Sequence, residues 1–374
     1  MKIGIDARMY GPAVGGGGLG RYVQELVSHL QALAHPPTYT FFVKPENADA
    51  CRVLLPHAQK RVVDVHWYTL GEQVVLPGFI DKEKLDLVHF PHWNVPLGLH
   101  TPFVVTVHDL ILLEEPRSAR ATTLPAPLYA LKRLGFLQVL RHALTASRKI
   151  IAVSQYTKQS ILFHFPHIPP EKIVVIYEGV SDLPATDTAL FIPQPYVLTV
   201  GNAYPHKNLA LLLRAFRLVK AVHPHMRLVL AGRDDVFSRR LVHSAEAHVL
   251  GESFLFIPEP SDTDLAALYK YATASVFPSR IEGFGLPPLE AMKAGVPVAS
   301  SNAGPMPEVL KDAALFFDPH QEEALARAVI RLIEDPALRA DLIARGQKNV
   351  ERFSWRAMAQ ATESVYEQAG HRKP

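Results

Sequence analysis

Apolar residues in this chain fall into short runs rich in Val, Ile, Leu and Phe. Longer stretches separate them, in which apolar positions recur every three or four residues. Runs of the first kind suit strands buried on both faces, and the second pattern suits amphipathic helices. The strand candidates are 2–6, 40–43, 61–65, 87–90, 103–107, 149–153 and 173–177, then 196–200, 227–231, 254–257, 274–277, 296–300 and 313–317. Helical patterns lie at 19–34 and 128–149, from Ser154 onward, up to about Val222, and at 264–271, 288–294, 321–334 and 356–369. This alternation predicts parallel sheets with crossover helices. A linker composition, polar and Pro-containing, occupies 181–195. The expected organisation is therefore α/β, with domains at 1–183 and 190–355.

One stretch, 275–308, concentrates candidate chemistry. A strand leads into a turn holding Gly283 and Gly285. A helix then opens at a Pro287-Pro288 pair and is ended by Gly295, and a second strand follows. Proline suits a first helical turn and glycine a helix end. The helix start offers unpaired N–H groups and a partial positive charge, which suits a phosphate. Glu282 lies in the turn and Glu290 about one helical turn in, eight positions later. Carboxylates so placed can hold two hydroxyl-bearing parts of one ligand.

The sequence EGFGLPPLE, with its E-x7-E spacing, followed by GVPVASSNAGPMPE, resembles the donor site of retaining glycosyltransferases of family four. The turn GNAYPHKN at 201–208 adds a similarity to bacterial mannosyltransferases. The resemblance implies the GT-B fold: two doubly wound Rossmann-like domains facing across a cleft. The N-terminal domain would be on the acceptor side and the C-terminal domain would bind a nucleotide sugar, with helix 356–374 crossing back to the first domain. It implies transfer of a sugar, with GDP-mannose favoured as donor, to a glycan or lipid-linked hydroxyl with anomeric retention. Glu282 and the amides of Gly283, Phe284 and Gly285 would hold the donor sugar, and Glu290 the ribose. Lys207 and the helix start at Leu286 would face the departing diphosphate, and Gly16 and Gly17 would turn amides toward the ligand. His108, after the strand 103–107, would approach donor sugar and acceptor. The chain departs from the family pattern at Asn202, where an arginine is usual, and near Pro258, where a glycine is common; His206, Arg233 or Arg280 could supply the missing cation. A UDP-sugar glucosyltransferase, a sugar-nucleotide epimerase, a phosphorylase and a silent sugar-nucleotide binder are the alternatives on the same fold.

Other patterns carry less. Gly15, Gly17 and Gly20 fit GxGxxG, but the turn comes about ten residues after the strand and no acid lies near position 38. This argues against a dinucleotide site and for a flexible glycine loop. HFPH occurs twice among the 18 histidines, each time interrupted by proline and without neighbouring Cys or acid ligands, so no metal is expected. Asp262-Thr263-Asp264 follows Ser261 and reads as a helix capping box rather than a metal motif. The 128–149 stretch carries Lys132, Arg133, Arg141, Arg148 and Lys149, so peripheral contact with an anionic membrane competes with a core-helix reading.

With 374 residues and 48% hydrophobic content the chain can fill two cores, and a formal charge of +3 implies no nucleic-acid partner. A single cysteine excludes an internal disulfide and fits a reducing compartment. The first apolar run is too short for a signal peptide, so the expected location is the cytoplasm, with the inner membrane face available if the basic helix touches lipid. No separate cofactor is expected.

Overall fold

The computed structural model describes residues 1–115, 126–185 and 192–370, with the side chains of 126–130 left aside. It divides into two compact units. The first comprises Met1–Leu110, the described part of Thr123–Gly179, and the final helix. The second comprises Val180–Phe353 together with the described residues from Ile111.

The first unit is built on β1 (Lys2–Asp6), β2 (Thr38–Val43), β3 (Gln59–Val62), β4 (Leu87–Phe90), β5 (Phe103–Val107), β6 (Lys149–Ala152) and β7 (Ile173–Val175). All pair in parallel, in the order β3-β2-β1-β4-β5-β6-β7. The order reverses between β1 and β4, and ligands of open α/β sheets sit outside the carboxyl ends of strands at such a switch point. β4 and β5 are buried at every position, which explains their near-continuous apolar sequence. β3 is a mostly exposed edge with the sequence QKRV. Its apolar residues lie toward Val62 and Val63, so the expected strand, 61–65, starts two residues late.

The second unit holds β8 (Tyr196–Val200), β9 (Arg227–Gly232), β10 (Phe254–Pro258), β11 (Ala274–Phe277), β12 (Val298–Ser301) and β13 (Ala314–Phe317). These too are parallel, in the order β10-β9-β8-β11-β12-β13, with the switch point between β8 and β11. Its core packs Leu212, Phe216 and Val219 of helix Leu209–Val222 and Leu325, Val329 and Leu332 of helix Glu322–Glu334 on the sheet.

The final helix, Trp355–Gly370, packs on helix Gly17–Gln31 in the first unit. Tyr366 meets His89 there at 2.7 Å, and His89 reaches Thr106 at 2.8 Å. A side chain on Gly179 would strike Trp355 at 2.3 Å, so that crossing requires glycine.

The glycine loop expected near residue 16 is helical instead. Helix Pro12–Gly15 runs into helix Gly17–Gln31, with Gly16 at φ 77° and Gly17 at φ 46° between them. Gly15 and Gly20 are glycine because a Cβ would lie 2.1 and 2.2 Å from the carbonyls of Met9 and Gly11. Close backbone packing, rather than flexibility, sets this composition.

Candidate active site

The second unit's switch point brings together two turns. The turn after β8 passes Gly201 and Asn202 into a single 3-10 turn, Pro205–Lys207. Asn208 follows in the left-handed region at φ 60°. Its amide donates to the carbonyls of Pro278 and Pro319, at 3.1 and 2.8 Å, and so fixes this turn against the one after β11. The sequence reading missed that clamp. An Asn directly before a helix, where φ turns positive, was the signal available. The backbone N–H of Arg280 adds a bond to the carbonyl of His206, at 2.8 Å.

Between these turns Lys207 Nζ meets Glu282 Oε1 at 2.6 Å. Both side chains are largely shielded, at 18% and 10% exposure. Here a charge-assisted bond is worth more than the ~1 kcal/mol or less of an exposed pair. Lys207 also sits 5.5 Å above the Phe277 ring. A small cavity between the two turns is lined by Gly201, Asn202, Lys207, Phe277 and Ser279. Thus Asn202 and Lys207 share one cavity, and Glu282 bonds to Lys207 at its edge.

Helix Leu286–Lys293 begins at Gly285, φ 98°, two residues earlier than expected. Pro287 and Pro288 fit because the first helical N–H groups have no partner to lose. Glycine suits position 285 because φ 98° is a conformation that side-chain residues rarely adopt, and a Cβ there would also press on the Met306 methyl at 2.4 Å. The Phe284 ring packs against Phe353, centroids 5.5 Å apart, so its side chain belongs to the core. Gly283, Gly285 and Leu286 are buried beside it.

Glu290 lies elsewhere. It lines a larger pocket with Ser181, Asp182, Lys270 and Lys293. The Tyr269 phenol bonds to it, and burial raises that phenol's pKa. Lys293 pairs with Asp182 at 2.8 Å. The two acids of the E-x7-E pair therefore have different partners within one unit: Glu282 bonds a lysine, and Glu290 lines the larger pocket beside a phenol.

In the first unit, His108 follows β5. Its Nδ1–H donates to Glu178 at 3.0 Å and its Nε2–H to the Pro91 carbonyl at 2.9 Å. Burial lowers its pKa, but Glu178 and the carbonyl outweigh that and leave it raised. Both ring nitrogens face acceptors, an arrangement that favours the imidazolium. Nearby, at the β1–β4 switch point, the sequence reading overlooked Arg8. It is 1% exposed and bonds Asp6 at 2.7 Å and Glu72 at 2.6 Å. Burial opposes its charge, and the two carboxylates more than offset this. Asn94 donates to Glu72 at 2.6 Å. The D-x-R at the end of β1 was the available signal.

The DTD segment is a cap. Ser261 and Asp264 bond each other's backbone N–H groups, at 2.9 and 3.1 Å. Among the described residues no group of three His, Cys, Asp or Glu is placed to hold a metal. No described helix is long and apolar enough to cross a membrane.

Two family models match the chain in succession: Glycosyltransferase Family 4 over residues 16–182 and Glycosyl transferases group 1 over 187–349. The O-antigen chain mannosyltransferase B of Escherichia coli is 30% identical over 75% of this chain and 74% of its own. The O-antigen chain mannosyltransferase RfbU of Salmonella typhimurium is 28% identical over 79% and 77%. Among solved structures, sucrose-phosphate synthase from Thermosynechococcus elongatus superposes with a TM-score of 0.79 over 98% of both chains, at 23% identity.

Proposed function

The chain belongs to the glycosyltransferases that join a family 4 domain to a group 1 domain, with two Rossmann-like domains, and on that premise we propose that it is a retaining mannosyltransferase using GDP-mannose. The observation that carries this reading is the Lys207–Glu282 pair at the switch point of the second sheet. A lysine there meets the charge that develops on a departing diphosphate, and a carboxylate beside it accepts from sugar hydroxyls. The two similar O-antigen mannosyltransferases favour mannose.

In the proposed mechanism the donor separates Lys207 from Glu282 or bridges them. Glu282 and the amides of Gly283–Gly285 hold the sugar. Glu290 takes the ribose hydroxyls. Lys207, Asn202 and the helix start at Leu286 take the diphosphate. No carboxylate is assigned as covalent nucleophile, so the acceptor attacks on the face the diphosphate leaves. A diphosphate oxygen takes the acceptor proton, the C1–oxygen bond to phosphate breaks, and configuration is retained. No metal takes part. The imidazolium of His108 is assigned to the sugar-transfer step, and Gly16 and Gly17 to the ligand-facing backbone.

The acceptor is a glycan or lipid-linked hydroxyl. We place the enzyme in the cytoplasm, in peripheral contact with the anionic inner membrane face through 128–149. Residues 126–149 contain no acid, and Leu131 and Leu134 are 67% and 65% exposed beside exposed Lys132 and Arg133.

A thermal-shift panel of GDP-mannose, UDP-glucose and the bare diphosphates tests the donor. A ligand that binds only the folded chain raises its melting temperature. GDP-mannose should give the largest rise. A rise with UDP-glucose alone would replace the proposed donor, and no rise with any would remove the donor site.

A further inference from the structure

We infer that His206 is a donor-binding residue whose imidazole takes up a proton when a nucleotide-sugar diphosphate enters the Lys207 site. The inference rests on the donor reading above and concerns the same site.

His206 occupies the 3-10 turn next to Lys207 and is 8% exposed. Its Nδ1 is closed off from solvent and has no hydrogen-bond partner among the described residues. Such an atom costs about 1–3 kcal/mol unless something satisfies it. Five side-chain atoms among the described residues share that state, and two of them, His206 Nδ1 and Ser279 Oγ, belong to this pair of turns. Ser279 lines the cavity that Lys207 lines. Two unmet polar groups, one on the cavity wall and one on the residue next to Lys207, point to a polar ligand.

The charges around the ring identify which ligand. Lys207 is matched by Glu282. Arg280 is matched by Glu115, through bonds of 3.2 and 3.3 Å. These four groups, from the ring's own turn, from the turn after β11 and from the segment after β5, are the charges that act on His206. Tyr204, its ring tilted against the imidazole with centroids 5.9 Å apart, feels Asp235 and Arg233, which act in opposite directions. The site is thus near neutral before a ligand arrives. A nucleotide-sugar diphosphate brings about two negative charges. Of the groups named, only a histidine can change charge near neutral pH. Without ligand the His206 pKa is held down to about 4, chiefly by burial; Glu282 and Glu115 oppose this, and Lys207 and Arg280 add to it. A dianion against the ring reverses that balance. The proton comes from solvent, joins the neutral ring at Nδ1, and returns to solvent when the nucleotide leaves.

Calorimetry of GDP-mannose and UDP-glucose binding to the whole chain, in buffers of differing ionisation enthalpy, measures this proton. The phosphates of a nucleotide sugar do not titrate near neutrality, so any proton taken up belongs to the protein. The wild type should take up most of one proton at about pH 6 and less at about pH 8, and bind more weakly at the higher pH. His206→Gln and His206→Asn should abolish the uptake and weaken binding by roughly tenfold at about pH 6, with binding then flat in pH. Their melting curves without ligand show that they fold, and the wild-type uptake stands as a test even if one does not. Binding without uptake, or uptake that survives in both variants, overturns the role of His206 and leaves the donor site intact. Uptake that survives would belong to another group of the protein. If the wild type binds neither nucleotide sugar, the donor reading falls, and this inference with it.

Discussion

Lys207 and Glu282 were legible in the sequence as two separate contacts, yet they bond each other at 2.6 Å. Removing one partner changes the other. Lys207→Ala should cut turnover by about 10²–10³, the scale of one lost preorganised donor, and weaken donor binding less. Steady-state kinetics with the measured donor affinity separates the two effects. Asn202→Arg should partly restore the Lys207→Ala variant, since both positions line one cavity. The double variant measures that coupling. Glu290→Ala should weaken binding of the bare diphosphate by ~10-fold or more, while Glu282→Ala should spare it and depress turnover. Calorimetry on the two variants decides. Equal, unchanged binding in both would take Glu290 out of the ribose role. What spacing could not reveal was that the two acids have different partners, Lys207 for Glu282 and the Tyr269 phenol for Glu290, because the turn between them passes through Gly285 at φ 98° before the helix begins.

At the scale of elements, the central strands were legible because they are buried on both faces and read as unbroken apolar runs. Elements whose sequence is polar were not. β3 is an exposed edge, and helix Pro336–Val350 buries only Leu342, Gly346 and Asn349. That helix did carry a start signal, Asp335 before Pro336, whose carboxylate accepts from the Leu338 N–H at 2.9 Å. The final helix is tied in by the Tyr366–His89–Thr106 contacts, with His89 in the middle. His89 is fully buried and neutral, and burial pulls its pKa down to about 3. A lowered folded-state pKa means that its stabilisation is complete above its ordinary value of about 6.5 and is lost as pH falls. The loss is at most about 1.4 kcal/mol per pH unit for one proton. Melting temperatures taken between about pH 6.5 and about pH 4.5 should fall less steeply in His89→Gln than in the wild type, although that variant starts lower. The basic helix makes a separate expectation. Co-sedimentation with anionic vesicles should fall steeply with salt and on replacing Lys132 and Arg133 by Glu. Equal recovery on neutral vesicles would return that helix to a purely structural role.

For the molecule as a whole, parallel sheets with crossover helices could be read from the alternation of patterns, because each crossover helix and its strand repeat the same apolar periods, and the pair of Rossmann-like units followed from the family resemblance. The reason for Gly15 and Gly20 could not be read, because it is a backbone contact with Met9 and Gly11 that only the folded chain makes. The family and the fold make the chain a glycosyltransferase; the donor, the stereochemistry and the independence from metal are the proposed part. One measurement reaches all three. The chain is incubated with GDP-mannose and a synthetic mannoside acceptor in excess chelator, and the anomeric configuration of the product is read by NMR. The expected result is a new mannosidic bond of the donor's own α configuration, formed at an undiminished rate. Transfer with inversion, transfer that stops until Mg²⁺ or Mn²⁺ is restored, or transfer from UDP-glucose but not from GDP-mannose would contradict it.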